Sequence, residues 1–274
     1  MHTSKMKTIK NIFTIIALLF AIASCKEEIK LEFPSSEKKL VVEAEISTEM
    51  DSSYVKLTMS ADYYSTDPYP SVSGANVSVN GVNFPYVGNG IYKAPSPYVG
   101  VTGTLYNLTV NNNGSVYTAK SLLDPMFRVD SIFQVFKPAE GFFKAGYAIN
   151  YSGFDDRPKI KYTFFKLGKF DTILQRDSFS QQRILFNSGQ TEIGKQYNFE
   201  LPFTRLQKGE ESILIFRSID KNMNDFIEAY NTQTSGAPGP FRVPPANLPT
   251  NVIGTNVIGY FTCYDVVRKR YTVK

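Results

Sequence analysis

Few side chains in this 274-residue chain are of a type that does chemistry, and their spacing decides which chemistry is open to them. The only histidine is His2. Imidazole is the usual base for an activated serine or cysteine and a frequent zinc ligand. A chain from which the first residues are removed loses both routes. Two cysteines stand far apart, Cys25 and Cys263. Cys263 lies in the strand-like run Ile258 to Val267, which predicts a buried, inert thiol. The segment Asp220-Lys221-Asn222-Met223-Asn224 alternates oxygen ligands as a calcium loop does. However, Asp225 stands where the turn glycine belongs, and Asn231 stands in place of the closing glutamate. Helix capping explains these residues better. Asp155-Asp156 and Glu210-Glu211 are adjacent carboxylates, and neighbours on a strand point to opposite faces, so solvated turns are expected rather than acid/base pairs. No catalytic residue, metal ligand or cofactor site is expected, and the chain is read as non-enzymatic.

What remains is aromatic surface. Tyr63, Tyr64 and Tyr69 share a segment with Pro68 and Pro70, and Phe142-Phe143 follow Gly141. Loop aromatics of this kind can stack on a ligand or anchor a protein partner. These five residues are the candidate binding residues. Trp is absent, while Tyr (17) and Phe (21) are abundant.

The N-terminus reads as an address. Lys5, Lys7 and Lys10 precede the apolar run Ile12–Ile22, interrupted only by Thr14, and Ala23-Ser24 lead to Cys25. As a helix that run would cover about 16 Å, half of a bilayer core of ~30 Å. It is therefore a signal peptide over residues 1–24 rather than a span. Its loss turns 30 basic against 25 acidic residues into 27 against 25. A balance of that size is no nucleic-acid footprint. Ile22-Ala23-Ser24-Cys25 resembles a lipobox, which implies acylation of Cys25 and durable membrane attachment through two or three chains. Lys26, Glu27 and Glu28 resemble the lipoprotein export signal of Bacteroidota, which implies the outside of the outer membrane. Residues 25–39 then form a lipidated tether.

From Leu40 the period is two. Leu40, Val42, Ala44 and Ile46 share a face, as do Val55, Leu57 and Met59. Asn80-Gly81 is a type I′ hairpin signal, and Gly88-Asn89-Gly90 and Asn113-Gly114 mark further turns. Short strands at regular spacing predict a mainly β protein of two sandwich-like domains, at 40–124 and 125–274, with a junction at Pro125. The second region is expected to carry strands, a short helix capped by Asn224 and ended at Ser235-Gly236, and a proline-rich loop with Pro238, Pro240, Pro244, Pro245 and Pro249.

Two family resemblances accompany this reading. Ser73-Gly74-Ala75-Asn76-Val77, Gly90-Ile91-Tyr92 and Tyr106-Asn107-Leu108-Thr109-Val110 resemble the carboxypeptidase-regulatory, transthyretin-like sandwich, a structural pattern without activity. The whole mature chain resembles a family of Bacteroidota outer-membrane lipoproteins, domain of unknown function 4249. The resemblance rests on Lys39-Leu40-Val41-Val42-Glu43-Ala44, Val55-Lys56-Leu57-Thr58, Pro70-Ser71-Val72-Ser73-Gly74-Ala75, Pro244-Pro245-Ala246-Asn247-Leu248 and Val257-Ile258-Gly259-Tyr260-Phe261. It implies a lipid-anchored surface protein that partners a TonB-dependent transporter in nutrient uptake. A structural or adhesive surface role is the alternative.

Overall fold

A computed structural model describes residues 37–61, 65, 67–154, 162–168, 184–187, 196–200, 205–234 and 248–274. The chain runs β1 (Leu40–Ser47), β2 (Tyr54–Met59), β3 (Asn76–Val79), β4 (Val82–Asn83), β5 (Tyr86–Gly88), β6 (Ile91–Lys93), β7 (Leu105–Asn112) and β8 (Ser115–Leu122). It continues through β9 (Arg128–Lys137), β10 (Gly146–Phe154), β11 (Tyr162–Gly168), β12 (Ile184–Asn187), β13 (Gln196–Glu200) and β14 (Glu211–Ile219). Helix α1 (Lys221–Thr234), β15 (Val257–Tyr264) and β16 (Val266–Thr272) complete it. The protein is mainly β, with one short helix near the C-terminus among the described residues.

The first pair of sheets follows from the alternation in β1. Leu40, Val42, Ala44 and Ile46 are buried, and Val55, Leu57, Tyr92, Phe261 and Cys263 join them from the sheet ordered β15-β1-β2-β6-β5. The sheet β4-β3-β7-β8 faces it with Val77, Val79, Leu108, Val110 and Ala119. Burying a side chain such as Phe261 or Leu57 completely contributes about 1.5–3 kcal/mol. The turns are where glycine and asparagine placed them: Asn80 (φ 46°) and Gly81 (φ 79°) both occupy the left-handed region that a type I′ hairpin needs.

The second pair is β13-β10-β9 against β12-β11-β14-β16. Its core gathers Phe127, Ile149, Tyr151, Leu214, Phe216 and Val273. Tyr151 meets Phe216 edge-on at 5.1 Å between ring centroids, a geometry that adds to simple burial.

One strand crosses the expected junction at Pro125. β15 pairs in parallel with β1, from Leu40 opposite Val257 to Ser47 opposite Tyr264, and so forms the edge of the first sheet. Glu37–Lys274 form one compact unit. Because β16 follows β15 after Asp265 alone, the chain passes directly from the first pair of sheets into the second. Helix α1 packs on the outer face of β15, where Met223, Ile227, Phe226 and Tyr260 make a small separate cluster.

Candidate functional site

The groups that could do chemistry are engaged in holding the two halves together. Asp220 is the N-cap of α1: its Oδ1 accepts the N–H of Met223 at 2.9 Å. Its Oδ2 accepts the Ser121 hydroxyl at 2.5 Å, and Ser121 Oγ in turn accepts the N–H of Cys263 at 2.9 Å. One carboxylate thus ties the helix to β8 and β15. Burial pushes the Asp220 carboxyl above its ordinary value, against the opposing effect of its hydrogen bonds to Ser121 and Met223. The expected cap, Asn224, sits instead within the helix and is buried. Its Nδ2 donates to Glu228 Oε1 at 3.0 Å. Asp220 engages its cap and Ser121 while Asn224 turns to Glu228, so the oxygens of this segment do not converge as calcium ligands would. Among the described residues no group of three His, Cys, Asp or Glu is placed to hold a metal ion.

Cys263 is buried in the first core, and desolvation raises its thiol far above the reactive range. Glu210 accepts the N–H of Gln207 at 2.8 Å inside a turn, while its neighbour Glu211 begins β14. Asp155 and Asp156 lie outside the described residues, as do Pro238, Pro240, Pro244 and Pro245.

A second buried tie went unnoticed in the sequence. Glu45 on β1 accepts the Tyr264 hydroxyl at 2.8 Å and lies 3.7 Å from Arg217 Nη1 on β14. The Arg217 guanidinium stacks 4.2 Å from the centroid of the Tyr264 ring. Nearby, Asp265 accepts the Thr48 hydroxyl at 2.7 Å and the Met126 N–H at 2.9 Å, and Arg268 makes a bidentate pair with Glu49. The sequence carried no signal for the first of these, since Glu45 alternates with Glu43 and Ser47 on the polar side of β1 like any solvated strand residue.

Of the candidate binding aromatics, Phe142, Phe143 and Tyr69 are described, and they lie on different pairs of sheets. Phe142 and Phe143 form the turn between β9 and β10. Glu140 and Phe143 exchange both backbone hydrogen bonds, at 3.0 and 2.9 Å, and Gly141 takes the left-handed φ of 55° that closes the loop. Phe142 is fully exposed, and the Arg205 guanidinium lies 5.6 Å from the ring centroid of Phe143. Behind the turn, Tyr147 and Leu206 exchange backbone bonds and Gln207 Nε2 donates to the carbonyl of Ala145. The result is an exposed aromatic on a braced hairpin, the form in which a side chain can enter a partner's pocket at little conformational cost.

Tyr69 lies at the end where β1 begins. Pro70 O accepts the N–H of Met59, and Met59 is the register partner of Leu40. Tyr69 is 66% exposed. β9 starts close to Asp265, beside the other end of β1, and runs on from there for ten residues. Tyr69 thus belongs to the first pair of sheets and Phe142-Phe143 to the second. Tyr63 and Tyr64 lie outside the described residues, as do Cys25, Lys26, Glu27 and Glu28. No described helix is long and apolar enough to cross a membrane.

Comparison with curated proteins yields no match to this chain. A family model does match, over residues 26–270, from before β1 into β16. The chain belongs to the family described as domain of unknown function (DUF4249).

Proposed function

We propose that this protein is a non-catalytic, surface-exposed lipoprotein of a bacterial outer membrane, which serves a TonB-dependent transporter as an accessory or ligand-capture partner in nutrient uptake. The observation that carries the reading is the polarity of the body. The chain that follows Ile22-Ala23-Ser24-Cys25 enters the fold at Leu40, and the braced Phe142-Phe143 turn stands beyond the other end of that strand. Acyl chains on Cys25 would hold one end at a membrane and present the other away from it. Lys26-Glu27-Glu28 supports export to the cell surface, and the same resemblance supports a source in Bacteroidota. The first pair of sheets would then be a carboxypeptidase-regulatory type of sandwich, a scaffold rather than a catalyst. The engagement of Asp220 and Cys263 in capping and packing is in keeping with a non-catalytic role.

The test is capture in place. A photo-cross-linking amino acid at Phe142, followed by purification from outer membranes, is expected to trap a TonB-dependent transporter. Cross-links only to envelope polymers or to neighbouring cells would mark an adhesive role instead. A clean outer-membrane preparation that yields no transporter would contradict the proposal.

A further inference from the structure

We infer that the Leu40 end of the first pair of sheets is a bilayer-contact surface, with Tyr69, Val116 and Ile253 entering the headgroup region of the leaflet that holds the anchor. The inference rests on the reading of Cys25 as lipidated. It adds a second, non-covalent contact with the membrane and fixes which way the protein faces.

The topology brings these three residues to one end. Leu40 N donates to the Asn256 carbonyl at 2.8 Å, so the turn that precedes β15 lies beside the start of β1. Ile253 exchanges backbone bonds with Thr118, at 3.0 and 2.7 Å, two residues from Val116 in β8. Tyr69 lies across from them, next to Met59. Tyr69 is 66%, Val116 58% and Ile253 72% exposed, so three large side chains with apolar surface stand open to solvent at this one end.

Charge is distributed to match. From Pro68 to Ala119 the only charged residue is Lys93, and it pairs with Tyr54 at the opposite end of β2. From Val243 to Tyr264 there is none. Two turns at the Leu40 end, Asn111-Asn112-Asn113-Gly114-Ser115 and Gly254-Thr255-Asn256, are amides and hydroxyls without ions, and Asp67, two residues before Tyr69, is the exposed carboxylate of the third. The distal half carries Lys137, Glu140, Lys144, Lys208, Glu210 and the run Arg268-Lys269-Arg270. A charge pressed against hydrocarbon loses hydration, whereas a tyrosine or an uncharged amide at the headgroup level does not suffer in this way. Lys38 and Lys39, which enter at this end, suit lipid phosphates.

Chain length selects the bilayer as the occupant. The segment from Cys25 to Leu40 can extend at most ~50 Å. It delivers this end, rather than the Phe142 end, to the surface that holds the lipid.

The absence of tryptophan makes the test direct. The mature chain from Cys25 is coupled through the Cys25 thiol to a maleimide phospholipid in nanodiscs, while buried Cys263 stays unreactive. Tyr69→Trp, Ile253→Trp and Phe142→Trp are each compared in plain and in brominated lipid, after circular dichroism has verified the fold. Tryptophan at 69 and at 253 is expected to lose roughly half its emission in brominated lipid, as fits a side chain ~5–10 Å into the boundary. Tryptophan at 142 is expected to lose none. Quenching at neither or only one of 69 and 253, or equal quenching at 142, would overturn the inference. Because the lipid is attached chemically, such a failure is separate from a failure of lipidation in cells, which fatty-acid labelling reports.

Discussion

Gly259→Ala probes the joint between the two halves of the chain. Gly259 sits opposite Val42 in the parallel pair of β1 with β15, at φ 118°. A Cβ added there would lie 1.9 Å from the Val42 carbonyl oxygen, and 2.7 and 2.8 Å from its carbon and nitrogen. These are backbone atoms and cannot rotate away. Restoring an ordinary contact of about 3.4 Å requires β15 to retreat by about 1.5 Å, which stretches the adjoining ladder bonds past any useful length. Two lost bonds cost about 2 kcal/mol. The strained φ adds about 1–3 kcal/mol. The expected loss is therefore about 4 kcal/mol, a large share of the ~5–15 kcal/mol that holds a typical domain. Gly81→Ala is the control, because Gly81 has φ 79° and nothing within 4 Å of an added Cβ. It should cost only the left-handed strain, about 1–2 kcal/mol. The assay is urea unfolding of the chain without residues 1–24 and with Cys25→Ser, followed by far-UV circular dichroism and tyrosine fluorescence. A Gly259→Ala variant no less stable than Gly81→Ala would refute the parallel pairing of β15 with β1.

Three further outcomes are expected. Asp220 has a raised carboxyl pKa, so between the unfolded value of 3.8 and its folded value the native state binds more protons than the unfolded state, and stability falls as pH rises through that window. Asp220→Asn keeps a good cap and should flatten this part of the profile in urea unfolding at a series of pH values; parallel profiles would count against the assignment. Cys263 should resist a thiol reagent in the Cys25→Ser chain until urea unfolds it, because its thiol is buried and its pKa raised, and labelling of the native protein would show an open core. Phe142→Ser should change unfolding free energy by no more than about 0.5 kcal/mol, since the ring is fully exposed, while abolishing transporter capture in a detergent pull-down; retained capture would remove Phe142 from the proposed contact.

Local rules read much of this fold from the sequence. The alternation of Leu40, Val42, Ala44 and Ile46 marks β1 to the residue, and Asn80-Gly81 marks the hairpin of β3 and β4, because side-chain period and positive φ are properties of neighbouring residues. The partner of β1 on its other edge was not legible. Val257–Tyr264 reads as a strand on its own, but nothing local says that it returns across more than 200 residues to pair in parallel. The helix start was misread for a related reason. Asn224 was the expected cap, whereas buried Met223 belongs to the first turn and the cap is Asp220. Glu45 with Arg217 and Tyr264 shows the same limit, since those partners lie on three strands distant in sequence. Phe142 and Tyr69 could be named as exposed aromatics from their turn residues, but only the topology places them on different pairs of sheets.

Fatty-acid labelling tests the proposed role most directly. Cells that make the protein are fed an alkyne analogue of palmitate, and the chain is isolated before and after Cys25→Ser. Label on the unsubstituted chain and none on the variant is the expected result. An unlabelled chain, or label that survives Cys25→Ser, would contradict attachment at Cys25, and with it the placement of the Leu40 end at a membrane.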